Sequence, residues 1–524
     1  MLSKGEMMST EGHAIEISKR WSFVWLFLSL LMFLVSGGKW VLPLAAWLAP
    51  LFMLRFIRLQ SIWFGYFIAS ATLCIPAYFS LQDMIPLPFS TFIGTVVFGS
   101  FFGMFVYVLD KWLSPKIAGF ISTLVFPCAF VAMEFLTSLS NPFGTWGLTA
   151  YTQIEYLSFL QLVSVTGIWG VAFLMAWAAS VINWMWERSF VWREIRVGLL
   201  TYLALLVSVV LLGSARLTFF APQGTTVRVA GVISPQFDRA WAIAEDAFLG
   251  KKKLAEVDWR EFFAQAASVY GDLLERSRKA ARAGAQIVLW SEAMGIVSKS
   301  DEEAWIERAR LVAQQEKIYL GITLMPFIHT DPTRLPAQKM FENKLILLSP
   351  KGQILFTYHK TIPVPGAEEQ MSVRGTGELP SVDTAYGRVG AAICFDADFP
   401  DLIRQAGKKG IDILLLPSAD WRAIAPYHTQ MASFRAIELG LSLVRIVRHG
   451  YSAAYDYQGR LLAGMDYFTT GNYTLYADVP RKGVNTLFTT LGNIFGWLSC
   501  VGLLIFLIFI SVQKLRNRSR LNTL

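Results

Sequence analysis

The 524-residue sequence predicts a polytopic α-helical membrane domain of about eight spans joined to an α/β domain. Three observations carry that prediction. Apolar residues make up 54% of the chain and charged residues only 16%, against roughly 25% charged in an ordinary soluble domain. Apolar stretches of about 20 residues, enough to cross a bilayer core, recur near 21–37, 40–56, 60–80, 90–109, 117–137, 159–185, 197–214 and 491–512. Between the seventh and the eighth lie roughly 270 residues of ordinary composition, in which strand-like runs (VRVAGVI, AQIVLWSE, KIYLGITL, NKLILLS, RVGAAICF, DILLLPS) alternate with helical stretches.

A mean hydropathy of +0.44 excludes disorder, collagen and a wholly soluble enzyme. The net charge of +9 points to loop topology rather than to nucleic acid, because the basic residues cluster at alternate span ends. These clusters are Lys19 with Arg20, Arg55 with Arg58, Lys111 with Lys116, Arg188 with Arg193 and Arg196, and Lys514, Arg516, Arg518 and Arg520. The opposite loops near 81–89 and 138–158 contain no Lys or Arg, and Lys39 in the first tight turn is the exception. Both termini are therefore expected on the cytoplasmic side and the large domain outside. Lys4, Lys19 and Arg20 before the first run also fit a cleavable leader, but six further spans follow it before the α/β domain. The expected division is a membrane domain at 1–219, an extracytoplasmic domain at 220–489, and a final span with a basic tail at 490–524.

Reactive residue types stand at strand ends in the outer domain. Glu292 follows the apolar run Ile287 to Trp290, at the carboxyl end where open α/β sheets carry their chemistry. Lys360 follows another strand and precedes a Pro-rich loop, where its ammonium suits an oxyanion. Cys394 ends a small-residue strand ahead of DLIRQAGKKG, and a thiol near a positive helix end is expected as thiolate. Alone, each has a bland reading: a small buried hydrophobe for the Cys, solvated charges for the other two. Cys74, Cys128 and Cys500 lie in apolar runs, so Cys394 has no partner for a disulfide framework or a zinc site. No metal, nucleotide or flavin motif is present, and no cofactor is expected. His329, His359, His428 and His449 lack a local Cys-His protease signature.

In the order Glu, Lys, Cys, each at a strand end of one domain, the three residues resemble the nitrilase, or carbon–nitrogen hydrolase, superfamily. The resemblance implies a four-layer α-β-β-α sandwich, with Glu292 as general base, Lys360 supporting the tetrahedral intermediate and Cys394 forming a thioester. The N–H of Phe395 would share the oxyanion with Lys360.

Such a domain between a seventh and an eighth span is similar to the apolipoprotein N-acyltransferase family. NPFGTWGLTAYTQ and LQLVSVTGIWGVAFLMAWAASVIN, with Gly167, Gly170 and Asn183, resemble that family's Gly-containing loop and sixth helix. PQFDRAW places the family's Trp at Trp241; FENKLILLSPKG, TLFTTLGNIFGWL and HTQMASFRAIELGLSLVRIVRHG, with Arg435, Glu438, Gly440 and Arg445, also follow its pattern. A second glutamate eight residues after the Lys corresponds to Glu368, beside Glu369. Glu134 falls where the family also has a Glu; in a span it must face protein or water, and no catalytic role is assigned to it.

The sequence departs from the pattern in several places. Cys394-Phe395-Asp396 replaces Cys-Tyr-Glu, Trp290-Ser291-Glu292 replaces Trp-Pro-Glu, VPGAEEQ stands for a Phe-Gly-Glu loop, VRHG stands for an Asn-rich strand end, and the Glu368 to Cys394 segment is short. The implied function is acyl transfer from a phospholipid, through a Cys thioester, to the amine of a diacylglyceryl-cysteine apolipoprotein. It would take place in the bacterial inner membrane with a periplasmic catalytic domain. The alternative is a membrane-anchored nitrilase-type amidase. A transporter or scaffold is disfavoured because the spans carry few polar groups.

Overall fold

The computed structural model describes residues 21–248 and 251–522. Lys4, Lys19 and Arg20 lie outside the described residues. The chain divides into two compact units: Met1–Asn141, Gly147–Ser214 and Asn493–Leu524 form one, Pro142–Trp146 and Ala215–Gly492 the other.

The first unit is helical. Among the described residues six helices are long and apolar enough to cross a membrane: Ile62–Leu81, Phe89–Lys116, Phe120–Ser140, Ile168–Trp186, Trp192–Phe219 and Ile494–Asn517. The first two apolar runs form the shorter helices Trp21–Leu34 and Pro43–Leu59. Helices of this composition make the chain a membrane protein. The sixth run is not one helix. Its first part forms the short helices Leu157–Leu160 and Val163–Thr166, and the chain then turns at Gly167, whose φ of +63° favours glycine. Gly170 is required next, because a Cβ there would sit 2.2 Å from Thr166 Oγ1.

Several polar side chains inside this unit find partners in the protein. Glu134 Oε1 accepts from Thr149 N at 3.0 Å and Thr149 Oγ1 at 2.6 Å, so it faces the loop at 149 as the cost of a carboxylate in hydrocarbon requires. Arg58 pairs with the buried Asp110 at 2.8 Å, and Asn183 Nδ2 donates to Leu51 O at 3.0 Å.

The second unit is the expected four-layer α-β-β-α sandwich. Its strands are β1 Thr226–Val232, β2 Ile287–Trp290, β3 Gly295–Ser298, β4 Tyr319–Phe327, β5 Lys344–Leu348, β6 Ile354–His359, β7 Ser381–Thr384, β8 Gly387–Ala391, β9 Ile413–Ala419, β10 Ser442–Arg448, β11 Tyr451–Tyr455, β12 Leu461–Asp466 and β13 Thr474–Pro480. One sheet runs β13-β1-β2-β4-β5-β6, with β3 beside β4; the other runs β12-β11-β10-β9-β8-β7. In each sheet the central strands are parallel (β1, β2, β4 and β8, β9, β10) and the margins antiparallel.

Central strands such as IVLW and ILLLP are apolar throughout because both faces are covered. Helices α1 Trp259–Arg282 and α2 Glu302–Glu316 cover the first sheet, and α3 Pro400–Lys408 and α4 Tyr427–Leu439 the second. Helix α1 starts where Asp258 accepts from Glu261 N at 3.0 Å, and Lys279 and Arg282 oppose its dipole at the end. Between these ends it buries Phe262, Ala266, Val269, Tyr270 and Leu273 at helical spacing. The sheets approach closely: a Cβ at Gly231 of β1 would lie 2.0 Å from Ile446 Cδ1 of β10. The carboxyl ends of β2, β8, β9 and β10 bring Glu292, Cys394, Asp420 and Arg448 to one edge.

Candidate active site

Glu292 owes its place to Ser291, the residue standing where the resembled family has Pro. Ser291 Oγ donates to Ser418 O at 2.6 Å and accepts from Arg448 N at 2.8 Å, stitching the end of β2 to β9 and β10 of the other sheet. Glu292 beyond it is buried, and its Oε1 accepts from Lys360 Nζ at 2.8 Å and Asn343 Nδ2 at 2.7 Å.

Lys360 leaves β6 with its N–H on Asn343 O at 2.8 Å. Its ammonium, 1% exposed, also bonds both oxygens of Glu368 at 2.9 and 2.8 Å. Glu368 lies on the short helix Ala367–Met371 and accepts further from Val364 N at 2.8 Å and Asn343 Nδ2 at 3.1 Å. Its neighbour Glu369 pairs outward with Arg374.

Burial works against the charges of Glu292 and Lys360, and their partners outweigh it. Burial pushes the Glu292 carboxyl up, but the Lys360 charge and the bonds from Lys360 and Asn343 hold it below the usual range. Burial lowers Lys360, yet Glu292 and Glu368 raise it well above its ordinary value.

Cys394 follows β8 in a tight turn, with a left-handed φ of +48°. This is a conformation that a non-glycine residue holds only when its surroundings enforce it. Its buried Sγ donates to Ala419 O at 3.6 Å. The expectation of a thiolate is overturned. Burial and Glu292 push the thiol well above its ordinary value, more than Lys360 and Arg445 pull it down, and α3 begins only at Pro400. The Cys394 side chain is thus held as a neutral thiol, which would need a base before it could act as a nucleophile.

Asp396 secures the turn, accepting from Ile393 N at 3.0 Å, Ile362 N at 2.8 Å and Tyr358 Oη at 2.7 Å. Burial pushes its carboxyl up to about 6 against these bonds. Thr145 adds a second tie, its N–H and Oγ1 donating to Asp398 O at 2.9 and 2.8 Å. Gly144 beside it admits no Cβ, which would come within 2.5 Å of that same oxygen. The Phe395 ring packs edge-on to Phe143 and Phe399. Trp241 lies further out, stacked between Phe237 and Phe248 at 5.8 and 5.0 Å.

Glu292, Lys360 and Glu368 are thus brought into direct contact and Cys394 into their field, whereas Trp241 is linked to this group through Arg448. The sequence reading missed Asn343, inside the quoted FENKLILL, and a second buried cluster. There His428 Nδ1 lies 2.8 Å from Asp420 Oδ1 and Nε2 3.1 Å from Asp398 Oδ2. Burial and Arg445 oppose a charge on His428, but the two carboxylates hold it above its ordinary value. Cys394 Sγ, one Asp420 oxygen and one His428 nitrogen lie within 4.8 Å of one another. Arg445 Nη2 already sits 2.9 Å from Asp420 Oδ1 and 2.8 Å from His428 Nδ1, which sets a positive charge where a cation would go.

The sequence pattern of the carbon–nitrogen hydrolase family matches residues 254–487. The second unit has the carbon–nitrogen hydrolase fold. The chain as a whole is similar to proteins named apolipoprotein N-acyltransferase. That of Geobacter metallireducens is 27% identical over 409 residues, 73% of this chain and 73% of its own. That of Bradyrhizobium diazoefficiens is 26% identical over 473 residues, 83% of this chain and 82% of its own. These alignments are longer than the hydrolase domain and extend into the membrane helices. Among solved structures, an amidase from Nesterenkonia sp. aligns with 50% of this chain and 92% of its own at 19% identity and a TM-score of 0.38.

Proposed function

We propose that the chain is an apolipoprotein N-acyltransferase acting through a thioester on Cys394. The observation that carries this reading is the buried Glu292–Lys360 pair, joined at 2.8–2.9 Å to a half-buried Glu368 and accompanied by a neutral, strained Cys394, in a protein similar to such transferases along most of its length.

In the first half-reaction Cys394 Sγ attacks the ester carbonyl carbon of a phospholipid as Glu292 takes the thiol proton. The carbonyl oxygen becomes an oxyanion that Lys360 and the N–H of Phe395 stabilise. Collapse breaks the ester C–O bond, and Glu292 returns the proton to the departing lysophospholipid. In the second, the α-amine of a diacylglyceryl-cysteine attacks the thioester carbon. Glu292 relays the amine proton to the leaving sulfur, which restores the thiol. Glu368 holds Lys360 through both steps, and Trp241 walls the substrate side.

The basic clusters at alternate span ends support an outward domain, hence a periplasmic site on the bacterial inner membrane. The test supplies phosphatidylglycerol and a synthetic diacylglyceryl-cysteine peptide to the purified full-length protein. N-acylated peptide is expected; release of free fatty acid with no acylated peptide would make the protein a hydrolase.

A further inference from the structure

Arg448 belongs to none of the roles above, yet it is fastened to the same edge as Glu292. It is the last residue of β10, its N–H is on Ser291 Oγ at 2.8 Å, its carbonyl accepts from Asp420 N at 3.0 Å, and its Nε donates to Glu292 O at 3.3 Å. The guanidinium lies over the Phe237 ring at 4.3 Å and near the Trp241 ring at 5.5 Å. That stacking fixes its plane while leaving its outer edge unused. Among the described residues its two terminal amino groups have no hydrogen-bond partner and no carboxylate within ion-pair reach.

The carboxylates that feel its charge are engaged elsewhere. Glu292 faces Lys360 and Asn343. Asp238 gives one oxygen to His449 Nε2 at 2.6 Å and the other to Tyr467 Oη at 2.7 Å. Burial depresses the guanidinium below its ordinary value, and its field reaches both Glu292 and Cys394. A partly exposed guanidinium whose terminal donors meet no protein anion among the described residues is arranged for an external one. Arg suits an oxyanion of phosphorus better than Lys does, because two parallel N–H groups match two oxygens. In a glycerophospholipid the phosphodiester lies one glycerol length from the ester carbonyl that Cys394 would attack.

We propose that Arg448 binds the anionic phosphodiester of the acyl donor and so sets the preference for a phospholipid over a phosphate-free acyl ester. This rests on the transferase reading. The test follows acyl-adduct formation on the full-length protein by intact mass, with phosphatidylglycerol and with p-nitrophenyl palmitate as donors. Arg448→Met keeps the stem and its ring stacking without the charge; Arg448→Lys keeps the charge without the fork.

The rate ratio of phospholipid to p-nitrophenyl ester is expected to fall at least about tenfold in Arg448→Met, the scale of one lost charged hydrogen-bond pair, and to recover in part in Arg448→Lys. Equal slowing on both donors would assign Arg448 to the carbonyl chemistry or the fold, and an unchanged ratio would remove it from recognition; either overturns the proposal alone. Inhibition of the wild type by inorganic phosphate with no change in the ratio would mark a free-phosphate site and overturn it too. A wild type acylated by p-nitrophenyl palmitate but never by phosphatidylglycerol overturns the transferase reading and this proposal with it.

Discussion

Lys360 Nζ lies 2.8 Å from Glu292 Oε1, and both side chains are almost completely removed from solvent. Glu368 closes the other side of the ammonium at 2.8 Å, so one cation stands between two carboxylates that would otherwise repel in a dry interior.

Lys360→Met should therefore damage more than catalysis. It leaves Glu292 and Glu368 facing each other without the cation, and breaking a buried pair this way costs about 3–5 kcal/mol. A lowered melting temperature together with lost acylation is the expected result. Full thermal stability would mean that the cation is dispensable to the fold.

Glu292→Gln keeps the shape and removes the base. Thioester formation should slow by about 10²- to 10⁴-fold. Because Glu292 is held below its ordinary value and Lys360 well above its own, neither should put a limb in the wild-type acylation rate near neutrality. An acid limb near neutrality that is lost in Glu292→Gln would contradict the depressed carboxyl.

Glu368→Gln should impair acylation, and Glu369→Gln should leave it near normal. The exposed Glu369–Arg374 pair is worth about 0–1 kcal/mol at most. Equal losses of activity would contradict the division of roles between these neighbours.

The neighbouring glutamates mark one limit of what the sequence discloses. Both sit on one short helix next to a Lys-bearing loop, and only the tertiary path of that loop sends Glu368 inward. The membrane helices were legible because hydropathy is a local property, as were the Glu, Lys and Cys at their strand ends. The break at Gly167 was not, since an apolar run continues across it. The thiolate expectation failed because it counted a helix end but not burial or Glu292. Asn343, Arg448 and the His428 cluster depend on contacts between residues far apart in the chain, such as Ser291 with Arg448 across the two sheets, and no spacing rule reports those.

Asp396 supplies a stability prediction. Its carboxyl is raised from 3.8 to about 6, so its contribution is complete below 3.8 and is lost as pH rises through about 6. The shift corresponds to about 3 kcal/mol. The stability of the wild type relative to Asp396→Asn, measured by denaturant unfolding, should fall between about pH 4 and 7. A difference that grows with pH would reverse the assignment.

Ser291→Ala should destabilise the domain by about 1–3 kcal/mol, because Ser418 O and Arg448 N lose their shared partner in a buried setting. A neutral effect on the unfolding midpoint would show that the stitch between the sheets is not needed.

The central claim is that Cys394 carries the acyl group. The most direct measurement is the intact mass of the full-length protein after incubation with phosphatidylglycerol, compared with Cys394→Ala. The account predicts a gain of one acyl group on the wild type, removable by neutral hydroxylamine as a thioester is, and no gain on the variant. An adduct that persists in Cys394→Ala, or a wild type that turns over phospholipid without ever holding its acyl group, would contradict it.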